Sequence, residues 1–401
     1  MENKNVPSIR FKGFIDDWEQ RKLSEIVILY GGNAFKSSDS KKEGTRWLKI
    51  ANIGFNRIDW STSSYLPKEY WEKYEEYQLK KNDYVMALTR PILNGTLKIS
   101  KIDQESLLNQ RIAKLDFTTD YEFGFQLLKM SRTVSLIENE LAGTDPPNLS
   151  SKNLDNINIE ITSSNEEQTK IGTFFKQLDK TIALHERELE LLNLTKKGFL
   201  QQIFPGNKQK YPNIRFENFD EEWEQCELIE LAEFNPKSKL PKEFEYVDLE
   251  SVVGTSLIDH RTETINSAPS RAQRLAEFGD LFYQTVRPYQ KNNYLYELPY
   301  NNYVFSTGYA QMRPKYNSYF LLTLVQEEKF VSRVLERSTG TSYPSINSND
   351  LSKLKVRVPK KEEQTKIGNF FKQLDETINI QERKLNKLKK TKKSFLQKMF
   401  I

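Results

Sequence analysis

EEQTKIGTFFKQLD at residues 166–179 returns as EEQTKIGNFFKQLD at residues 362–375, with Thr173 exchanged for Asn369 as the single difference. The match continues downstream. Thr181 corresponds to Thr377, Glu186-Arg187 to Glu382-Arg383, Leu192 to Leu388, and TKKGFLQQIF to TKKSFLQKMF. Upstream, PSIRFKGFIDDWEQRKL returns as PNIRFENFDEEWEQCEL, which sets Trp18 against Trp223. Between these ends identity fades but a skeleton persists: NDYVMALTRP aligns with GDLFYQTVRP, and GTDPPNLSSKNL with GTSYPSINSNDL. The chain is a tandem duplication of a long unit made of a leading segment, a variable domain and a shared helix.

The shared segments carry heptads. Counted from Ile171, the a positions are Ile171, Leu178, His185, Leu192 and Phe199, and the d positions are Phe175, Ile182, Leu189, Lys196 and Ile203. In the second copy they are Ile367, Leu374, Gln381, Leu388 and Phe395, with Phe371, Ile378, Leu385, Lys392 and Met399. Apolar a and d positions sustained over four to five heptads predict a coiled coil. Two helices lying separately on their own domains would explain one stripe each, but not why both keep the same seam. Ser164 to Glu167 has capping-box spacing, Pro359 precedes the second helix, and Pro205-Gly206 stops the first. The polar a residues His185 and Gln381 read as register markers. Thr173 and Asn369 fall at position c, outside the seam. A helix of roughly 35 residues spans about 50 Å, enough to act as a ruler.

The 401 residues suggest two domains with something between them. Charged residues form 29% and hydrophobic ones 37%, and no apolar run approaches the ~18 to 20 residues of a membrane span. The start, MENKNVPSIRFKGF, lacks an apolar signal core, giving a cytoplasmic expectation. Cys226 is the single cysteine, which excludes an internal disulfide and a cysteine-based zinc site. With only His185 and His260, histidine-rich metal sites and most nucleophile–histidine pairs are out of reach. No metal or cofactor site is expected in this chain, while enzymes that work with carboxylates alone stay open on composition. A net charge of +5 is compatible with nucleic acid without establishing it.

The variable segments, about 24–160 and 229–358, mix strands such as WLKIANI, YVMALTR, GTLKIS, EYVDLES and NYLYEL with helices FGFQLLKMSRTVSLIENEL and YFLLTLVQEEKFVSRVLER. An α+β domain follows. One matched feature is the strand running into Thr89-Arg90-Pro91 and Val286-Arg287-Pro288. Proline biases the residue before it toward an extended backbone. After each arginine come Asn94, Gly95, Thr96 and Lys98 in one copy, and Gln290, Lys291, Asn292 and Asn293 in the other. Such side chains pair with base edges or grip phosphates. A second pair of loops, AGTDPPNLS and STGTSYPSIN, adds Thr144, Asn148, Thr341, Ser342, Tyr343 and Ser345 as candidate DNA contacts. Asp145-Pro146-Pro147-Asn148 resembles the Asp-Pro-Pro-aromatic motif of amino-methyltransferases. Asn148 stands where the aromatic would be, however, and no Gly-rich turn suited to S-adenosylmethionine precedes it. No GxxxxGK[ST] phosphate loop is present for ATP.

The duplicated EEQ.KI..FF..LD helices, each after a variable domain, resemble the specificity (S) subunit of type I restriction-modification enzymes over the whole chain. The resemblance implies a non-catalytic subunit with two α+β target-recognition domains, separated by two long conserved helices that pair as an antiparallel coiled coil with approximate two-fold symmetry. Residues 1–162 and 206–359 are then the recognition domains, and 163–205 and 360–401 the spacer helices. It further implies double-stranded DNA with a bipartite asymmetric site, two adenine-methylating M subunits and two R subunits as partners. S-adenosylmethionine, ATP and Mg2+ would belong to those partners. Two other readings stand beside it: a protein-interaction scaffold without DNA specificity, and a self-contained DNA methyltransferase or nuclease.

Overall fold

Ser164 starts the first long helix as its spacing predicts, its hydroxyl accepting from the Glu167 backbone N–H at 3.3 Å. The Glu167 carboxylate does not complete the box. It takes a two-pronged contact from Arg10 at 2.6 and 2.8 Å, and Glu363 takes the same contact from Arg215 at 2.9 and 2.8 Å. A computed structural model describes residues 6–55, 57–143, 145–206 and 209–401. It divides into two compact units, residues 1–185 with 384–401, and residues 186–383. Neither unit holds a whole long helix, because residues 165–203 are divided at 185/186 and residues 361–399 at 383/384.

In the first unit, Val27–Gly31, Ile112–Phe117, Tyr84–Ala87 and Ile99–Lys101 form an antiparallel sheet in that order. A smaller mixed sheet holds Tyr65–Leu66, Thr45–Leu48, Ser106–Leu108 and Gln78–Leu79. The leading strand Glu19–Lys22 pairs with Asn158–Ile161, fastening the start of the repeat to the strand that feeds its helix. Helices α1 (Tyr121–Leu128) and α2 (Ser131–Glu140) cover the core, and α3 runs from Asn165 to Ile203. The expected single helix over 123–141 is thus split, because Met130 takes an extended backbone, φ −66° and ψ 138°, as the N-cap of α2.

The second unit repeats the plan. Ala232–Phe234, Tyr309–Pro314, Leu281–Gln284 and Tyr294–Leu295 form one sheet. Arg261–Thr264, Glu243–Val247, Tyr303–Ser306 and Ala272–Leu275 form another, and Glu224–Glu227 pairs with Lys355–Val358. Helices α4 (Ser318–Gln326) and α5 (Glu328–Glu336) divide at Glu327, whose side chain caps the Phe330 N–H at 3.0 Å. The final helix, α6, spans Lys361–Met399.

Each unit contains the start of one long helix and the end of the other, and this explains the repeated phrase nearly letter by letter. In the first unit Phe174 meets Phe395 with ring centroids 5.2 Å apart, and Asp179 bonds Lys392 at 2.5 Å. In the second, Phe370 meets Phe199 at 5.0 Å and Asp375 bonds Lys196 at 2.5 Å. Positions rise along one helix as they fall along the other, so the pairing is antiparallel. The Asp closing each phrase therefore binds the TKK lysine of the opposite copy, which is why a lysine is tolerated at a d position. The predicted a and d residues are buried or half-buried throughout, whereas Thr173 and Asn369 are exposed.

Aromatic cores complete the exchange. Phe400, from the end of the second repeat, sits 6.0 Å from Trp18, 5.2 Å from Phe123 and 6.0 Å from Phe175. Phe204, from the end of the first, sits 5.9 Å from both Trp223 and Phe320. Each domain core thus includes a side chain belonging to the other repeat.

The units differ beneath Asp179 and Asp375. Tyr319 donates to Asp375 at 2.7 Å, whereas Asp179 also receives Gln126 at 2.9 Å and half-buried Lys129 at 3.4 Å. Burial and then the charge of Lys392 push the Lys129 pKa down to about 7, against the opposing pull of Asp179. Between about 7 and the ordinary 10.5 the unfolded chain holds a proton that the folded chain has shed. Stability therefore rises with pH across that window. Denaturant titrations at pH 7 and pH 9.5 are expected to show this rise, and Lys129→Met to flatten it.

Candidate nucleic-acid interface

The two Arg-Pro loops are built alike from their backbones upward. In the first unit Thr89 bridges Asn148, the Arg90 N–H donates to Pro147 O at 2.8 Å, and the Leu149 N–H to Leu88 O at 2.8 Å. In the second, Val286 bridges Ser345, the Arg287 N–H donates to Pro344 O at 2.7 Å, and the Ile346 N–H to Thr285 O at 3.0 Å. The two loops that the sequence matched separately are therefore one zipped feature in each unit.

The arginines are not extended, contrary to the bias that a following proline imposes. Their φ angles are 48° for Arg90 and 52° for Arg287, in the left-handed region. A non-glycine residue held there costs on the order of 1–3 kcal/mol and persists where its surroundings over-determine it. The donated N–H and the neighbouring bridge supply that constraint in both copies. A strained cationic residue kept twice at the same place is the geometric mark of this site.

Around the arginines the copies diverge. The Arg287 guanidinium lies 4.3 Å from the ring centre of Tyr343, which is 62% exposed, and Tyr289 is exposed beside it in the chain. Stacking on an aromatic face fixes the planar fork of an arginine. Arg90 is exposed, and among the described residues its guanidinium makes no ion pair. Pro146 occupies the place corresponding to Tyr343. Asn94, φ 51°, and Gly95, φ 66°, turn the hairpin of Ile92–Leu93 and Thr96–Leu97. Asn94 and Thr96 are exposed, with Lys98 half-buried behind them.

The other candidates fall into two groups. Thr341 and Ser342 are exposed beside Tyr343, and Asn148, exposed, accepts from the Thr89 hydroxyl at 2.9 Å. Gln290 is exposed and accepts from Gln284 at 3.0 Å, while Ser345 exchanges backbone bonds with Thr339. Lys291 is committed to Glu328 at 2.6 Å, and Asn292 accepts from the Gly254 N–H at 2.9 Å. Asn293 corrects the sequence reading: it is 1% exposed and its Oδ1 accepts from the Gln284 N–H at 2.9 Å, so it braces the loop from inside. Thr144 lies outside the described residues.

Sequence reasoning passed over a half-buried cationic and aromatic cluster in the first unit, packed around buried Trp47. Lys49 lies 4.0 Å from the ring centre of Trp47, and Arg46 lies 5.5 Å from that of Trp60 and 5.6 Å from that of Tyr65. The density of Trp, Tyr and Lys across residues 46–77 was the available signal. Among the described residues no group of His, Cys, Asp or Glu is arranged to hold a metal ion, and no helix is long and apolar enough to cross a membrane.

Comparison with known proteins places this geometry in context. The family described as type I restriction modification DNA specificity domain matches residues 15–194 and again 220–390. The type I restriction enzyme MjaVIII specificity subunit of Methanocaldococcus jannaschii is 34% identical over 221 residues, covering 54% of this chain and 52% of that protein. The EcoAI specificity subunit of Escherichia coli is 39% identical over 102 residues, or 25% of this chain and 17% of that one. The chain thus spans about half the length of the first relative and less of the second. Its fold is similar to the crystal structure of a type I restriction-modification S subunit from M. genitalium, with a TM-score of 0.68 over 99% of both chains at 17% identity.

Proposed function

Because the chain belongs to the type I restriction modification DNA specificity domain family, we propose that it is a non-catalytic DNA-reading subunit whose two domains each recognise one half of a bipartite target. The observation that carries this reading is the paired, strained Arg-Pro loop, built by the same backbone bonds in both units and surrounded by different side chains. Equivalent scaffolds hold the readers alike, and divergent contacts let each read different bases.

The reciprocal helices supply the second half of the proposal. Their antiparallel seam sets the gap between half-sites, and their repeated faces dock two copies of one methyltransferase subunit. Half-sites read by dimeric proteins lie about one helical turn, ~34 Å, apart or at multiples of it. Helices of 39 residues are about 58 Å long at ~1.5 Å per residue. S-adenosylmethionine is assigned to the M subunits, and ATP with Mg2+ to two R subunits, since the sequence offers neither a phosphate loop nor a Gly-rich cofactor turn. Cytoplasmic DNA is the expected location of the assembly.

Inserting four residues near the middle of α3, with a matching insertion in α6, tests the helix role. Methylated sites mapped in a host that also expresses the M subunit are expected to show unchanged half-sites and a changed gap. An unchanged gap would remove the helices from any role in spacing.

A further inference from the structure

Among the described residues, guanidinium groups drawn into this fold find partners, and Arg274 stands apart from them. Arg10 pairs with Glu167, Arg215 with Glu363, and Arg313 with Asp280 at 2.9 Å and Glu277 at 3.0 Å. Arg333 donates to the carbonyls of Lys355 and Lys329. Arg274 is half-buried, its Nε is shielded from solvent without a hydrogen-bond partner, and among the described residues no carboxylate pairs with it. Burial lowers its pKa and no acidic group offsets the effect. A cation held in the protein without a counter-charge is costly.

Its position shows what could supply that charge. Arg274 lies on the edge strand Ala272–Leu275, where pairing with Tyr303–Ser306 slips between Ala272 and Arg274. Such a bulge bends a strand and re-aims its side chains. One end of this strand is tied to the recognition loop: Thr307 N–H donates to Arg271 O at 2.8 Å, and Thr285, two residues before Arg287, donates to Gly308 O through its N–H at 3.0 Å and its hydroxyl at 2.8 Å. Arg271 is exposed at that end.

We infer that Arg274 is a DNA-phosphate contact of the second domain, an unpaired guanidinium on a bulged edge strand fastened to the Arg287 loop and completed when the duplex backbone arrives. The inference rests on the proposed DNA-reading function. A guanidinium fork matches two phosphate oxygens, and a phosphate contact carries no sequence preference. Arg274 would thus hold the domain in register while the loop reads bases.

The test uses the chain assembled with its methyltransferase subunits, and two duplexes, one bearing the motif methylated in the host and one lacking it. Arg274→Gln is expected to weaken binding to both by the same factor and to lower the salt slope, −d log K/d log[KCl], by about 0.9. The melting temperature of the free chain should hold or rise, because a half-buried charge without a counter-charge is gone. Arg274→Lys should keep the slope. A lower melting temperature with an unchanged slope would make Arg274 a structural residue and overturn the inference. Weakening confined to the motif duplex would make it a base reader, and loss of methyltransferase assembly with intact DNA contacts would make its partner a protein acid; either result overturns it. Absence of salt-dependent duplex binding by the unaltered complex would instead defeat the DNA-reading proposal itself.

Discussion

Gly368→Ala is expected to destabilise the protein by about 2 to 3 kcal/mol, although alanine is the better helix former by roughly 1 kcal/mol. A Cβ at Gly368 would strike Asn317, with its Oδ1 nearest and its Cγ at 2.7 Å, and would lie 2.9 Å from the Phe320 N. Asn317 is the N-cap of α4, its Oδ1 accepting from that same N–H at 2.8 Å. The substitution therefore crowds a packed contact, which costs on the order of 1–3 kcal/mol, and disturbs a cap that contributes about 0.5–2 kcal/mol. Gly172 meets Asp120, the cap of α1, in the same way, with a Cβ distance of 2.5 Å to Oδ1 and 2.8 Å to the Phe123 N. Gly198, with nothing within 4 Å of its Cβ, is the control and should gain stability on becoming alanine. Denaturant unfolding of the two variants should shift in opposite directions. Gain of stability in both would leave the repeated glycine unexplained.

Arg287→Ala should abolish discrimination at one position of one half-site, at about 1–3 kcal/mol, roughly 5- to 150-fold. Its guanidinium is oriented twice, by the left-handed backbone at φ 52° and by the Tyr343 face at 4.3 Å. Alanine removes the fork without removing the backbone bond to Pro344. Arg90→Ala should relax the other half-site, and by less, since among the described residues no aromatic ring stacks on Arg90. Binding measured on duplexes altered one base pair at a time checks both variants. Uniform weakening on every duplex would reassign the two arginines to phosphates.

The sequence made the long helices legible because their pattern is local and repeated. Their a and d positions, the capping Ser164 and the exposed Thr173 and Asn369 can be read from periodicity alone. Contacts between distant residues could not be read that way. Nothing in local pattern says that Glu167 abandons its capping box for Arg10, or that Phe400 belongs beside Trp18. The Arg-Pro loops were partly legible: Arg-Pro marked their position, but the proline bias gave the wrong backbone, because the tertiary bonds to Pro147 and Pro344 override it. Asn293 was misplaced for a related reason. Its residue type suits a base contact, yet only the fold shows that it is spent on Gln284. Arg274 carried no motif; its meaning comes from the partner that the fold withholds.

The central claim is that two equivalent domains read two different half-sites from one chain. Its most direct measurement is the map of methylated positions in DNA from a host expressing this chain with its methyltransferase subunit. Two short specified blocks separated by a fixed, unspecified gap are predicted, with Arg287→Ala relaxing one block and Arg90→Ala the other. A single contiguous motif, or one indifferent to both substitutions, would contradict the account.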